Sequence, residues 1–214
     1  MEKKPVLLID MYGVIIKESK GYFIPYTREH FGEQEHERLK KAFFQEKLFT
    51  KAGNGEITSH EFLSRLGYEN PEGAMRDYLE NYLTLDGQFH TFAQKFADKV
   101  DIVLLSNDVL EWSEYLTEYY EMNQYFQDKI VSGAVHMRKP EERIYTYTLE
   151  RLGRSAEDCI FVDNSSKNLL VAERFGIQTV LFNRDGEEYD GVVVNNFVEL
   201  AGYLEQNVFK NMVH

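Results

Sequence analysis

Across 214 residues the chain carries one cysteine, one tryptophan and four prolines, and its 24 basic residues are outnumbered by 36 acidic ones. A single cysteine, Cys159, excludes an internal disulfide framework. It lies in the apolar run Cys159-Ile160-Phe161-Val162, which suits a buried, inert thiol in a reducing compartment. The formal net charge of -12 argues against a nucleic-acid-binding surface, because phosphate contacts need clustered Lys and Arg. A small anionic substrate in a locally positive pocket remains compatible with it. No apolar run reaches the roughly 20 residues that a membrane-spanning helix needs. Met1-Glu2-Lys3-Lys4-Pro5 is charged like the start of a signal peptide, but Asp10 interrupts the apolar stretch behind it and no small-residue cleavage site follows. The expectation is a cytoplasmic protein, monomer or homodimer, with no membrane or nucleic-acid partner. Internal repeats and low-complexity tracts are also missing.

What is present begins at Val6-Leu7-Leu8-Ile9-Asp10-Met11-Tyr12-Gly13-Val14. Four apolar residues predict a short buried strand running into a carboxylate, and Gly13 lets the backbone turn tightly after it. Further apolar runs end at Ser106 (Val103-Leu104-Leu105), at Ser132-Gly133 (Ile130-Val131), at Asp163 (Cys159 to Val162) and at Asn183 (Thr179-Val180-Leu181-Phe182). Residues 141–152 and 167–175 have helical spacing, and Gly176 closes the second of them. Continuous apolar strands alternating with helices predict a doubly wound α/β fold, a parallel sheet covered on both faces.

Residues 20–86 break the alternation, with helical patterns such as Leu39-Lys40-Lys41-Ala42-Phe43-Phe44 and no buried strand. They predict a helical insertion of roughly 65 residues, near the lower end of domain size. It leaves 1–19 and 87–214 as the sheet domain. Thr58 or Ser59 is a candidate N-cap; Ser59-His60-Glu61-Phe62 lacks Glu at the third position, so no capping box is expected there.

Asp10, Ser106, the Arg138-Lys139-Pro140 turn and Asp163 fall at or beside separate strand ends, which share one edge of a parallel sheet. Together they supply a carboxylate nucleophile, a hydroxyl with backbone N–H donors, a fixed cation and a second carboxylate. That set suits attack by Asp10 on an electrophile bearing negative charge, with Ser106 and Asn107 holding its peripheral oxygens and Lys139 neutralising charge. Asp163 would hold a divalent cation or orient Lys139. Taken singly, each has an ordinary structural explanation: a turn-forming Asp, a Ser106-Asn107-Asp108 cap for the helix containing Trp112, a proline at a helix start. Four in one order, each beside a strand, carry more weight.

On these residues the chain resembles the haloacid dehalogenase superfamily along essentially its whole length. Asp10-Met11-Tyr12-Gly13-Val14 is similar to the first motif, Ser106-Asn107 to the second, Lys139-Pro140 to the third, and Phe161-Val162-Asp163-Asn164-Ser165 to the fourth. Gly55 to Phe62 resembles a recurrent cap segment. The resemblance implies a Rossmann-like core with a small helical cap of the first subfamily's type inserted after the first strand. It also implies that Asp10 forms a covalent intermediate which water hydrolyses.

The phosphatase branch of that superfamily has an acid–base aspartate where this chain has Tyr12, and a magnesium-binding acid where it has Asn164. A phenol, with a reference pKa of about 10 against about 3.9 for aspartate, cycles a proton poorly near neutrality. Asn164 offers a carbonyl oxygen without charge. Asp10, the Tyr12 backbone carbonyl, Asp163 and Asn164 are the implied Mg2+ ligands. In the dehalogenase branch Asp-x-Tyr-Gly is characteristic, no metal is used and halide leaves unprotonated. Tyr145 fits that pattern, whereas Asp163 does not. That branch also uses a cap arginine to receive the halide, for which Arg28 and Arg38 are candidates.

The leading expectation is a phosphatase-type hydrolase acting through Asp10 on a small phosphorylated metabolite. The alternatives are a metal-independent 2-haloacid dehalogenase and a catalytically impaired ligand-binding or regulatory protein. The six histidines show no metal-ligand spacing, and His136 is read as a turn residue. Tyr115, Tyr119, Tyr120, Tyr125 and Phe126 are read as core or interface. Tyr22, Phe23 and Tyr26 are candidates for lining a pocket under the cap.

Overall fold

The computed structural model describes residues 3–19 and 23–207. The apolar runs form β1 (Val6–Ile9), β2 (Asp101–Ser106), β3 (Phe126–Val131), β4 (Cys159–Asp163) and β5 (Gln178–Phe182), and a short β6 (Val192–Val194) joins them. They lie in one sheet in the order β3-β2-β1-β4-β5-β6 with every pairing parallel. This is a Rossmann-like α/β architecture, and its strand order reverses direction between β1 and β4, where such sheets open a crevice.

Successive side chains on a strand face opposite ways. Leu7, Ile9, Ile102, Leu104, Ile160 and Val162 therefore feed one apolar cluster, and Val6, Leu8, Val103, Leu105, Cys159 and Phe161 feed the other. Burial on both faces explains why the strands are continuously apolar.

The chain between β1 and β2 forms α1 (Phe23–Phe31), α2 (His36–Lys40), α3 (Leu48–Gly53), α4 (Ser59–Leu66) and α5 (Pro71–Asn81), followed by α6 (Phe89–Phe96). After β2 come α7 (Leu110–Tyr119), α8 (Ser132–Val135), α9 (Glu142–Leu152), α10 (Ser166–Arg174) and α11 (Phe197–Asn207). Helices α6, α7 and α11 supply Phe89, Trp112 and Leu200 to the first cluster, while α9 and α10 supply Ile144 and Leu169 to the second.

The insert does not keep a core of its own. Phe23 packs against Tyr26, Phe43, Phe49, Phe62 and Tyr78 from the insert and against Trp112 of α7, with centroids 5.0–6.0 Å apart. One apolar cluster thus runs from the insert into the sheet domain. Phe23 and Tyr26, expected at a pocket, are 2% and 3% exposed and belong to this cluster; Tyr22 lies outside the described residues.

Polar contacts pin the seam. Trp112 Nε1 donates to Ser59 Oγ (2.6 Å), the Ser59 N–H donates to Glu111 Oε1 (3.1 Å), and Ser132 Oγ donates to the Gly53 carbonyl (2.5 Å). His136 sits here and not in the cleft, with Nδ1 2.8 Å from the Asn54 carbonyl.

At the root of the insert the outgoing and returning chain lie side by side. Lys17 N–H donates to Thr84 O (2.9 Å) and Asp86 N–H to Ile15 O (2.8 Å). Arg184 spans this root, donating to the carbonyls of Gly13 (3.1 Å) and Val14 (3.0 Å) and to the Asp86 carboxylate.

One capping expectation is corrected. Helix α4 starts at Ser59, so Thr58 is the N-cap and Glu61 is the third residue in. The Glu61 N–H donates to Thr58 Oγ1 (3.1 Å) and the Thr58 N–H to Glu61 Oε2 (3.0 Å), a complete capping box. Among the described residues no helix is long and apolar enough to cross a membrane.

Candidate active site

The sheet carries Asp10 one residue beyond β1, where its N–H still donates to the Val162 carbonyl of β4 (3.0 Å). Its carboxylate therefore stands at the reversal of strand order. Asp10 Oδ1 accepts from the Met11 N–H (2.8 Å) and lies 2.9 Å from Lys139 Nζ, which leaves Oδ2 for chemistry.

Lys139 is 2% exposed, and its ammonium has three acceptors: Asp10 Oδ1, Asp163 Oδ2 (2.7 Å) and the Leu105 carbonyl (2.8 Å). Asn107 fixes the lysine backbone, its amide donating to the Lys139 carbonyl and its Oδ1 accepting from the Lys139 N–H, both at 2.8 Å. Asp163, fully buried, is saturated from behind: Oδ1 accepts from the Ser165 N–H (2.8 Å), and Asn168 Nδ2 lies 3.1 and 3.0 Å from its two oxygens.

Burial sets the electrostatics. It raises the Asp10 pKa to about 7, an effect opposed by Lys139 and reinforced by Asp163. Burial works to lower the Lys139 pKa, but the flanking Asp10 and Asp163 charges hold it above the ordinary lysine value.

A cleft of about 360 Å³ opens over this cluster. Asp10, Tyr12, Asn107, Arg138, Lys139 and Asn164 line its base, and Phe49, Thr50 and Tyr78 from the insert line it with Trp112. Gly13 lets Asn164 close in: with φ +79°, it would hold a Cβ only 2.3 Å from Asn164 Nδ2. That amide donates to Asp185 Oδ2 (3.2 Å) on the segment after β5.

Several expected residues are placed differently. Ser106 Oγ is buried with no hydrogen-bond partner and does not line the cleft, whereas Asn107 does. Ser106, Asn107 and Asp108 do not cap α7, which begins at Leu110 after Val109 with no side-chain cap. Asp163 stands behind Lys139, both of its oxygens engaged by Lys139, Ser165 and Asn168. Tyr145 is fully buried on the far face of the sheet, its hydroxyl donating to the Asn168 carbonyl (2.9 Å). Neither arginine suggested for a halide reaches the cleft: Arg38 pairs with Glu35 (2.5 Å) and the Leu66 carbonyl (2.7 Å), and Arg28 lines a separate hollow beside Phe43.

The structure also brings in residues that the sequence reading passed over. Tyr12 donates its hydroxyl to Asp108 Oδ1 (3.1 Å), which also accepts from the Val109 N–H (2.8 Å), while Asp108 Oδ2 is buried without a partner. Burial pushes the Asp108 carboxyl and the Tyr12 phenol well above their ordinary values. Asp108 directly follows Ser106-Asn107, the one signal that could have found it. Asn168 stands five residues after Asp163, where the first turn of α10 returns it to the strand end.

Magnesium prefers hard oxygens and is commonly held by one or two carboxylates together with substrate phosphate. Asp10, the Tyr12 backbone carbonyl and the Asn164 side-chain carbonyl fit such a site with a single negative charge. No cluster of three or more His, Cys, Asp or Glu side chains among the described residues could hold a metal by itself.

A family model described as a haloacid dehalogenase-like hydrolase matches residues 5–176. Drimenol cyclase drtB of Aspergillus calidoustus is 25% identical over 191 residues, 85% of this chain and 34% of that protein. (S)-2-haloacid dehalogenase 4A of Burkholderia cepacia is 29% identical over 115 residues, 51% of this chain and 50% of that protein. The chain thus spans between a third and a half of these curated relatives. In fold it is similar to a haloacid dehalogenase family enzyme of Bacteroides thetaiotaomicron crystallised with magnesium and inorganic phosphate. That likeness has a TM-score of 0.72 at 22% identity and covers 87% of this chain and 98% of the other.

Proposed function

The chain belongs to the haloacid dehalogenase-like hydrolases, and on that premise we propose that it is a phosphatase-type enzyme acting through Asp10 on a small phosphorylated metabolite. The observation that carries this reading is the buried Asp10–Lys139–Asp163 cluster at the reversal of the sheet. A cation locked between two carboxylates keeps one of them, Asp10, poised beside a positive charge where an anionic group would dock.

In this reading Asp10 Oδ2 attacks phosphorus, Lys139 neutralises charge on the transferring group, and the Asn107 amide holds the lysine in place. Asp163 orients Lys139 in this reading. Asp10, the Tyr12 carbonyl and Asn164 would hold Mg2+, which would supply charge neutralisation at the phosphate oxygens. Residues 20–86 serve as a cap over the sheet domain of 1–19 and 87–214, closing the cleft with Phe49, Thr50 and Tyr78.

Purified protein should release phosphate from p-nitrophenyl phosphate in a magnesium-dependent reaction. Asp10→Asn should lower kcat by about 10⁴-fold or more, the scale on which loss of a nucleophile is felt. Retention of activity in that variant would overturn the assignment.

The second reading is a 2-haloacid dehalogenase, favoured by Tyr12 and by the relative of that name. It requires halide release from 2-chloropropionate that is insensitive to chelator. Against it stands the cleft itself, to which the insert contributes no arginine among the described residues.

A further inference from the structure

The proton donors around Asp10 are already committed. Tyr12 gives its hydroxyl proton to Asp108 Oδ1, and the free oxygen of Asp108 is shut off from solvent. All three N–H bonds of Lys139 point at Leu105 O, Asp10 and Asp163. Of the remaining cleft carboxylates, Asp185 accepts from Ser19 and Asn164, and Glu187 accepts from the Ser166 N–H. None of these groups is shown free to give a proton to the cleft, so a group expelled from phosphorus opposite Asp10 leaves most easily when it is stable as an anion. A phenol, with a pKa of about 10, does so far more readily than an alkyl alcohol, whose proton is about as weakly acidic as that of water near 15.7.

The wall of the cleft has matching chemistry. Phe49, Tyr78 and Trp112 line it, but Tyr78 and Trp112 are each only 1% exposed; Phe49, stacked on Phe23 and 38% exposed, is the ring with accessible surface beside the site. We propose that the substrate is an aryl phosphate, the phosphomonoester of a phenol, with its ring laid against Phe49. This rests on the phosphatase reading above and narrows it.

The step balances without an added acid. Asp10 Oδ2 forms a bond to phosphorus as the phosphorus–phenol bond breaks, and the electron pair leaves on the phenolate oxygen. Water then attacks the aspartyl phosphate, the phosphorus–Asp10 bond breaks, and the carboxylate is regenerated. One proton of that water stays with phosphate and the other goes to the phenolate through solvent.

The test is a matched series with magnesium: phenyl phosphate, benzyl phosphate and acetyl phosphate. Benzyl phosphate keeps the ring but leaves as an alkoxide; acetyl phosphate leaves easily but has no ring. Phenyl phosphate should exceed benzyl phosphate in kcat/KM by about 10²–10⁴-fold, the range a missing general acid exposes. Tyr12→Asp should narrow that gap by supplying a carboxyl. Phe49→Ala should lower the ratio of phenyl to acetyl phosphate kcat/KM by about tenfold.

Equal turnover of benzyl and phenyl phosphate by the wild type would overturn the inference while leaving the phosphatase reading intact. So would a phenyl-to-acetyl ratio unmoved by Phe49→Ala. Silence toward all three esters, acetyl phosphate included, would instead remove the phosphatase reading itself.

Discussion

At the base of the cleft Asp10, Lys139 and Asp163 are held by charge and hydrogen bonds, while the wall above it is made of rings packed chiefly against other rings. Lys139 meets two carboxylates and a carbonyl at 2.7–2.9 Å, and Asp163 is held by Lys139, Ser165 and Asn168. Phe49, Tyr78 and Trp112 instead touch through ring faces and edges within one aromatic cluster. Hydrogen bonds between buried charges have narrow geometry, whereas apolar contacts tolerate shape changes of similar volume. Under the proposed function the base is the fixed, reactive half and the wall the adaptable, selecting half. Substitutions below should alter rate and stability sharply, and substitutions above should alter affinity first.

The largest effect is expected at Lys139. Lys139→Met keeps the length of the side chain but leaves Asp10 and Asp163 buried without their cation. Removing one partner of a buried pair costs about 3–5 kcal/mol, which chemical denaturation would register as a lower midpoint. A loss under about 1 kcal/mol, the scale of an exposed pair, would mean that water reaches the cluster.

The seam joining the two halves comes next. Trp112→Phe preserves an aromatic ring but removes the Nε1–H bond to Ser59 Oγ. Leaving that buried hydroxyl without its donor should cost about 1–3 kcal/mol. Because Ser59 opens α4, hydrogen exchange should rise in α4 more than in β1 or β4.

Asp10 and Asp163 give a pH test with a definite sign. In the proposed reaction Asp10 attacks only when ionised. Its pKa, held at about 7 by burial against the lowering effect of Lys139 and with a further rise from Asp163, predicts that kcat/KM climbs as pH rises through neutrality. Asp163→Asn keeps an acceptor for Lys139 and deletes a like charge, so the acid limb should move to lower pH. Lys139→Met deletes the opposing cation, so any residual activity should move to higher pH. A limb that stays fixed in Asp163→Asn would show that another group controls it.

These contrasts also explain what the sequence made legible. Asp10, Asn107 and Asp163 could be read because each closes or follows a buried apolar run, and Lys139 because it sits in a Lys-Pro turn past β3, on the edge that parallel strands share. The edge strand β6, three valines long, offered too little pattern. Phe49, Tyr78 and Trp112 come from α3, α5 and α7, and their meeting depends on how the insert packs, which no spacing encodes. Phe23 and Tyr26 follow the first loop in sequence, yet packing draws them into the core. Arg28 and Arg38 had the right charge on the wrong faces. Asp163 shows a subtler limit: its strand-end position allowed two roles, and the contacts with Lys139, Asn168 and Ser165 that favour the orienting one come from residues no spacing relates to it.

The smallest effect lies furthest from the charges. Thr58 caps α4, and Thr58→Ala removes the acceptor for the Glu61 N–H, which should cost about 1 kcal/mol. The loss is local because Thr58 touches nothing at the base of the cleft, yet α4 begins with the serine that holds Trp112. Loosening that end should let the aromatic wall drift while Asp10, Lys139 and Asp163 keep their places. The measurable signature is a rise in KM for an aryl ester with kcat little changed, alongside a small drop in the unfolding midpoint. A fall in kcat with KM unmoved would show that the wall and the base are one rigid unit, and that rate and selection cannot be tuned apart.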